Sequence, residues 1–105
     1  MTTNRITLIG YVGSELKRSL AGNGHLRIAL RVATHYKKTG SDSYVTVWHD
    51  VICWERQADF ANRNFVKGSR ILLEGILEYR QFIDRKGHTR YHTQIKAYTL
   101  MNLDR

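Results

Sequence analysis

The chain has 105 residues, enough for one small domain that buries about two-thirds of its unfolded surface and holds one modest core. Its 17 Lys+Arg stand against 9 Asp+Glu, a formal net charge of +8 with a pI near 10.0. That balance points to a polyanionic partner such as nucleic acid or an acidic membrane.

The opening residues Met1-Thr2-Thr3-Asn4-Arg5 carry no apolar signal core, and no run approaches the roughly 18 apolar residues of a membrane span. A soluble intracellular protein without a membrane partner is expected. The first strand runs from Asn4 to Val12, with Ile6 and Leu8 on one side. Gly10 and Gly13 then interrupt it, as glycine does where a strand bends at a barrel corner. Asn23-Gly24 supplies a hairpin turn. Leu26, Ile28, Leu30 and Val32 alternate with Arg27, Ala29, Arg31 and Ala33, so one face enters a core while the other presents guanidinium groups.

A polar hairpin from Lys37 to Ser43, containing Gly40, leads into a strand from Tyr44 to Trp54. Val45, Val47, Val51 and Cys53 share one parity; Tyr44, Thr46, Trp48, Asp50, Ile52 and Trp54 share the other. From Glu55 to Val66 the β-pattern breaks. Ala58, Ala61 and Phe65 recur at helical spacing and Gly68 follows as a stop signal. Two strands, Ser69 to Tyr79 and Tyr91 to Leu103, are joined by Arg80 to Arg90 with Asp84-Arg85-Lys86-Gly87 at the tip. Three strands, a helix and two strands predict a mainly all-β, five-stranded Greek-key barrel of the oligonucleotide-binding type, occupying residues 1–105 as a single domain.

Catalytic motifs are absent: no Walker-type glycine loop, G-x-S-x-G or H-E-x-x-H occurs, and an enzyme is not expected. His88 and His92 would lie about 13 Å apart in an extended segment, too far for one metal ion. Glu74 and Glu78 are separated in the same way, which argues against an acid–base pair. His35 and His49 default to neutral, hydrogen-bonded roles. Cys53, the only cysteine, excludes an intrachain disulfide and a cysteine-based zinc site, and reads as a small buried hydrophobe.

The aromatic and basic set is more informative. Either tryptophan alone suits a core, but the valine side of their strand makes the better core face, and two tryptophans left on the other surface need a partner. Phe82 sits in a hairpin extension with little core to fill, and Tyr36 precedes Lys37-Lys38 at the mouth of another hairpin. Rings flanked by cations suit sequence-tolerant single-strand binding, in which bases stack on the rings and cations hold the phosphates. Arg27, Arg31, Lys37, Lys38, Arg80, Arg85, Lys86 and Arg90 are the candidate phosphate contacts.

These residues resemble the oligonucleotide-binding domain of bacterial-type single-stranded DNA-binding proteins, from Asn4 to Leu103. Asn4-Arg5-Ile6-Thr7-Leu8-Ile9-Gly10 is similar to the family's opening strand, and Val47-Trp48-His49-Asp50-Val51 to its W-H-x-V segment. Ala58-Asp59 with Lys67-Gly68-Ser69 resembles its helix and K-G-S turn. Glu74-Gly75 with the run from Asp84 to Tyr91 resembles its last hairpin. The resemblance implies that Tyr36, Trp48, Trp54 and Phe82 stack on bases, that His49 lies near a subunit interface, and that a homotetramer, with a dimer as the alternative, binds DNA without cofactor, metal or base preference. It implies a place in replication, recombination and repair in the cytoplasm, at the nucleoid.

Two features depart from the family's pattern. Gly13-Ser14-Glu15-Leu16 replaces the common D-P-E, and the sequence ends at Leu103-Asp104-Arg105, where family members usually continue to an acidic tip that recruits repair and replication enzymes. Recruitment by that route is therefore expected only if this sequence is part of a longer chain that carries such a tip. The rival expectations are a tail-less primosomal restart adaptor bridging DNA and protein partners, and an RNA-binding barrel.

Overall fold

A computed structural model describes residues 2–104. Its elements are β1 (Ile6–Val12), β2 (Lys17–Leu20), β3 (Leu26–Lys37), β4 (Tyr44–Trp54), α1 (Glu55–Asn64), β5 (Arg70–Ile83) and β6 (Thr89–Asn102). The sheet order is β1-β5-β6-β4-β3-β2, and β1 returns to β3 through Tyr11↔Ala33 and Val12↔Val32. Five strands thus close into a barrel with one helix, the oligonucleotide-binding architecture expected.

The period-two pattern decides what lies inside. Ile28, Leu30 and Val32 of β3 meet Val51 and Cys53 of β4, Ile71 and Leu73 of β5, and Ile95 and Ala97 of β6 in one buried cluster. Burial pushes the Cys53 thiol up to about 12, which leaves it an inert packing group. The helix covers one end of this core with Ala58 and Ala61, and Phe65 just beyond it adds a third buried side chain. The chain turns into it at Glu55, whose φ of 51° lies in the left-handed region that non-glycine residues rarely occupy. Its carboxylate meets His25 from the β2–β3 connection.

Three details differ from the sequence expectation. β2 is a sixth strand, added to β3 through Lys17↔Ala29 to Leu20↔Leu26. All four of its residues are exposed, so no apolar alternation announces it. The helix stops at Asn64 rather than Val66: Phe65 is extended, and its N–H donates to the Ala61 carbonyl. Gly68 instead shapes the turn into β5. Finally, β5 and β6 remain paired out to Ile83↔Thr89, so the segment expected to be a connection is a projecting two-stranded arm. A second arm is the β3–β4 hairpin, whose turn closes with the Lys38 N–H on the Ser43 carbonyl.

Barrel closure depends on a close approach at Gly10, where a Cβ would collide with the Ala33 carbonyl oxygen of β3. Gly10→Ala is expected to destabilise the domain by about 1–3 kcal/mol through forced overpacking. Gly22→Ala, where the added methyl meets nothing within 4 Å, should leave stability nearly unchanged. Urea unfolding of the two variants side by side checks this.

Candidate nucleic-acid interface

Strand register places most of the candidate residues on one surface. Across β3 and β4 the outward pairs are Arg27↔Trp54, Ala29↔Ile52, Arg31↔Asp50, Ala33↔Trp48, His35↔Thr46 and Lys37↔Tyr44. Across β5 and β6 they are Glu78↔Gln94, Arg80↔His92 and Phe82↔Arg90. The parallel pairing Ile52↔Lys96 joins the two halves, so Trp48, Trp54 and Phe82 share one curved face with Arg27, Arg31, Lys37, Arg80 and Arg90. Lys38, Arg85 and Lys86 sit in the turns at the tips of the two arms.

Tyr36 stands apart. It pairs with Val45, which puts it on the opposite side of the β3–β4 arm, where it is 56% exposed. Trp48 is 47% and Phe82 43% exposed, and Trp54 is half-buried where β4 meets the helix. None of these rings is sealed in the core.

Cations are already placed over the two indoles. The Arg31 guanidinium carbon lies 4.9 Å from the centre of the Trp48 ring, and that of Arg27 lies 5.9 Å from the Trp54 ring. Both distances fall within cation–π range. Arg31 also reaches Asp50 (Nε to Oδ1, 3.5 Å), whose other oxygen is 3.1 Å from His92 Nε2. Arg90 donates to Asp84 at 2.8 Å. That bond, with a further one from the His88 backbone N–H, holds the Asp84 carboxyl below the usual carboxylate range. Lys37 faces Asp42 at 3.6 Å. Among the described residues, Arg27, Lys38, Arg80, Arg85 and Lys86 form no ion pair.

A cleft of about 430 Å³ opens on the outer side of β3 and β4. Ala29 and Ile52 line it together with Ser14 and Glu15 of the β1–β2 connection, the cations Lys17, Arg27, Arg31 and Arg80, and Asp50, His92 and Gln94. Ile52 faces outward with the tryptophans yet is only 2% exposed, covered at the bottom of this cleft. His49 points the other way. Its Nε2 lies 2.9 Å from Thr34 Oγ1, and burial lowers its pKa below the ordinary imidazole value. Glu78 accepts from Gln94, and Glu74 from Thr7, so the two acids have separate partners rather than each other.

Sequence reasoning missed several residues on this face. Tyr44 has the tryptophans' parity and an exposed ring opposite Lys37; that signal was present. His92, Gln94 and Lys96 join the face only through the β4–β6 and β5–β6 registers, which no local pattern gives. Gly13 is the least obvious. Its φ is not in the left-handed region, so the backbone does not demand glycine there, but a Cβ would overlap Cζ3 of Trp48 and lie 2.6 Å from Cη2. The indole occupies the space a side chain would need.

The sequence matches the family model described as the Single-strand binding protein family over residues 3–103. Among solved structures it is similar to a Plasmodium falciparum SSB complex with ssDNA, at a TM-score of 0.87 and 23% identity. The match covers 99% of this chain and 97% of that one. At that identity the likeness bears on the fold.

Gly13→Ala should leave the barrel folded and push the Trp48 indole out of place. Intrinsic tryptophan emission is expected to shift, and affinity for an oligo-dT strand to fall severalfold. In a Trp48→Ala background the same change should alter affinity by less than twofold, because the ring through which it acts is gone.

Proposed function

Because the chain belongs to the single-strand binding protein family, whose members are non-enzymatic DNA-binding proteins, we propose that it binds single-stranded DNA along the outer face of β3, β4, β6 and β5. Trp48, Trp54 and Phe82 serve as platforms for bases, with Tyr36 contributing from the reverse of the β3–β4 arm. Arg27, Arg31, Lys37, Lys38, Arg80, Arg85, Lys86 and Arg90 neutralise phosphates. The observation that carries this reading is the pairing of half-exposed rings with guanidinium groups on one continuous surface. The chain acts as one domain, without cofactor or catalysis, in the replication, recombination and repair roles general to the family. The cytoplasm, at the nucleoid, is its place of action. Among the described residues no helix is long and apolar enough to cross a membrane.

Each ring contributes roughly 1–3 kcal/mol of stacking. Trp48→Ala and Trp54→Ala are therefore expected to weaken binding to single strands by that much while thermal unfolding stays cooperative. If about five phosphates are neutralised per domain, log K should fall against log salt with a slope near −3.5. Variants that unfold, or that stay folded and bind at full strength, would show the tryptophans to be structural.

The assembly belongs to the same proposal: a homotetramer, with a dimer as the alternative. Several apolar surfaces lie open in the single chain. Among the described residues, β1 pairs only with β5 from Ile6 to Gly10, which leaves its other edge open to accept a strand. Ile9, Leu72 and Met101 lie in register across β1, β5 and β6, and Ile9 and Met101 are each 51% exposed. His49 lines an apolar recess with Ile6, Leu8 and Leu77, which suits its role beside a partner subunit. Native mass without DNA should be four times the 12.3 kDa of the chain, and with oligo-dT it should rise by the mass of the bound strand. A monomer would end the assembly proposal while leaving the DNA face intact.

A further inference from the structure

We propose that β2 is part of the single-strand interface, with Lys17 as a further phosphate contact that carries the bound strand's path out to the edge of the sheet. The inference rests on reading the outer face of β3 and β4 as that interface, and it adds a strand to it. β2 pairs with β3 through Lys17↔Ala29, Arg18↔Ile28, Ser19↔Arg27 and Leu20↔Leu26. Arg27 and Ala29 lie opposite Trp54 and Ile52 on the outer face, whereas Ile28 is in the core. Residues paired across a ladder share a side of the sheet. Lys17 and Ser19 therefore lie on the face that carries the tryptophans, and Arg18 and Leu20 lie on the other.

Two rows thus cross the sheet side by side. Ser19, Arg27 and Trp54 make one, with the Arg27 guanidinium carbon 5.9 Å from the centre of the ring. Lys17, Ala29 and Ile52 make the next. Lys17 stands two strands over and two residues along from Trp54, about 12 Å between Cα atoms. The backbone of a nucleotide stacked on the indole and the flexible four-carbon stem of a lysine span that gap together. Lys17 also lines the same cleft as Arg27, Arg31 and Arg80. Of the two carboxylates in that cleft, Glu15 and Asp50, the second is held by Arg31 and His92. Among the described residues Lys17 forms no ion pair. Four cations against two carboxylates leave the recess positive, and a concave wall concentrates that potential where a phosphate enters.

The other role open to these side chains is protective. β2 is the last strand in the sheet order, and short, charged edge strands deter pairing with another chain. That role draws on Lys17 and Arg18 alike, since both are exposed cations of the same strand. A phosphate contact on the tryptophan face draws on Lys17 alone. Two adjacent residues of equal charge, one on each side of the sheet, therefore separate the two roles.

The test measures oligo-dT affinity against salt for the unaltered protein and for Lys17→Gln, Arg18→Gln and Lys17→Arg. Lys17→Gln should make the slope of log K against log salt shallower by about 0.7, the share of one phosphate on a single strand, and weaken binding about fivefold near 0.1 M salt. Arg18→Gln removes the same charge from the chain but on the far side of the sheet, and with screening over about 10 Å it should change affinity by less than about twofold. Lys17→Arg keeps the cation and should restore the slope. All four residues of β2 are exposed, so each variant is expected to unfold at the temperature of the unaltered protein. An unchanged slope in Lys17→Gln would leave β2 as a guarded edge and overturn the proposal. Equal losses in Lys17→Gln and Arg18→Gln would also overturn it, since the effect would then belong to net charge and not to position. Both results leave the tryptophan face standing. Failure of the unaltered protein to hold oligo-dT would overturn that reading as well.

Discussion

The continuous ladder between β3 and β4, from Arg27↔Trp54 to Lys37↔Tyr44, is the constraint on which the rest of the molecule depends. Side chains alternate with period two, so one register assigns both surfaces together. Ile28 opposite Cys53 and Leu30 opposite Val51 go into the barrel. Arg27 opposite Trp54, Arg31 opposite Asp50 and Ala33 opposite Trp48 come out. A slip of one residue would bury guanidinium groups and expose the core, at a cost far above a domain's net stability. Half-exposed tryptophans, unfavourable when taken alone, are thus fixed in place by the burial of their neighbours.

Side-chain size then sets how the rings lie. Trp48 faces Ala33 across the ladder, Ile52 faces Ala29, and Gly13 leaves room at the far edge of the Trp48 indole. Small neighbours let the ring settle against the sheet, and Arg31 closes over it. A platform already oriented loses less rotamer freedom on binding. The sequence feature read as a barrel corner therefore divides into two roles: Gly10 permits the crossing of β1 over β3, and Gly13 accommodates an indole.

Much of this was legible because burial leaves a periodic trace. Ile28-Leu30-Val32 and Val51-Cys53 announced both the core and, by parity, the surface bearing Trp48 and Trp54. The same alternation, carried from Val32 through Thr34, puts Tyr36 on the side of β3 opposite the partners of Trp48 and Trp54, a placement that its neighbouring lysines do not reveal. Features that bury nothing left no trace. β2 reads Lys-Arg-Ser-Leu and is wholly exposed, and in the outer part of the β5–β6 arm Tyr79 to Ile83 and Thr89 to Tyr91 are all exposed. The meeting of Asp50 with His92 joins strands some forty positions apart in sequence, so only the tertiary register brings it about.

The charge pattern of the proposed face also bears on how tightly it holds a polyanion. Arg31, Lys37 and Arg90 are paired with Asp50, Asp42 and Asp84 when the face is empty, whereas Arg27 and Arg80 are not. A phosphate that takes Arg31 or Arg90 displaces a carboxylate rather than water alone, so these cations add less to affinity than their number suggests. The exchange is also inexpensive, since solvent-exposed ion pairs are worth only about 0–1 kcal/mol. Until then Asp50 holds Arg31 over the Trp48 ring, and the three carboxylates limit repulsion on a chain of net charge +8. On the proposed face, stacking on the rings would consequently carry a larger share of the binding than a count of lysines and arginines implies.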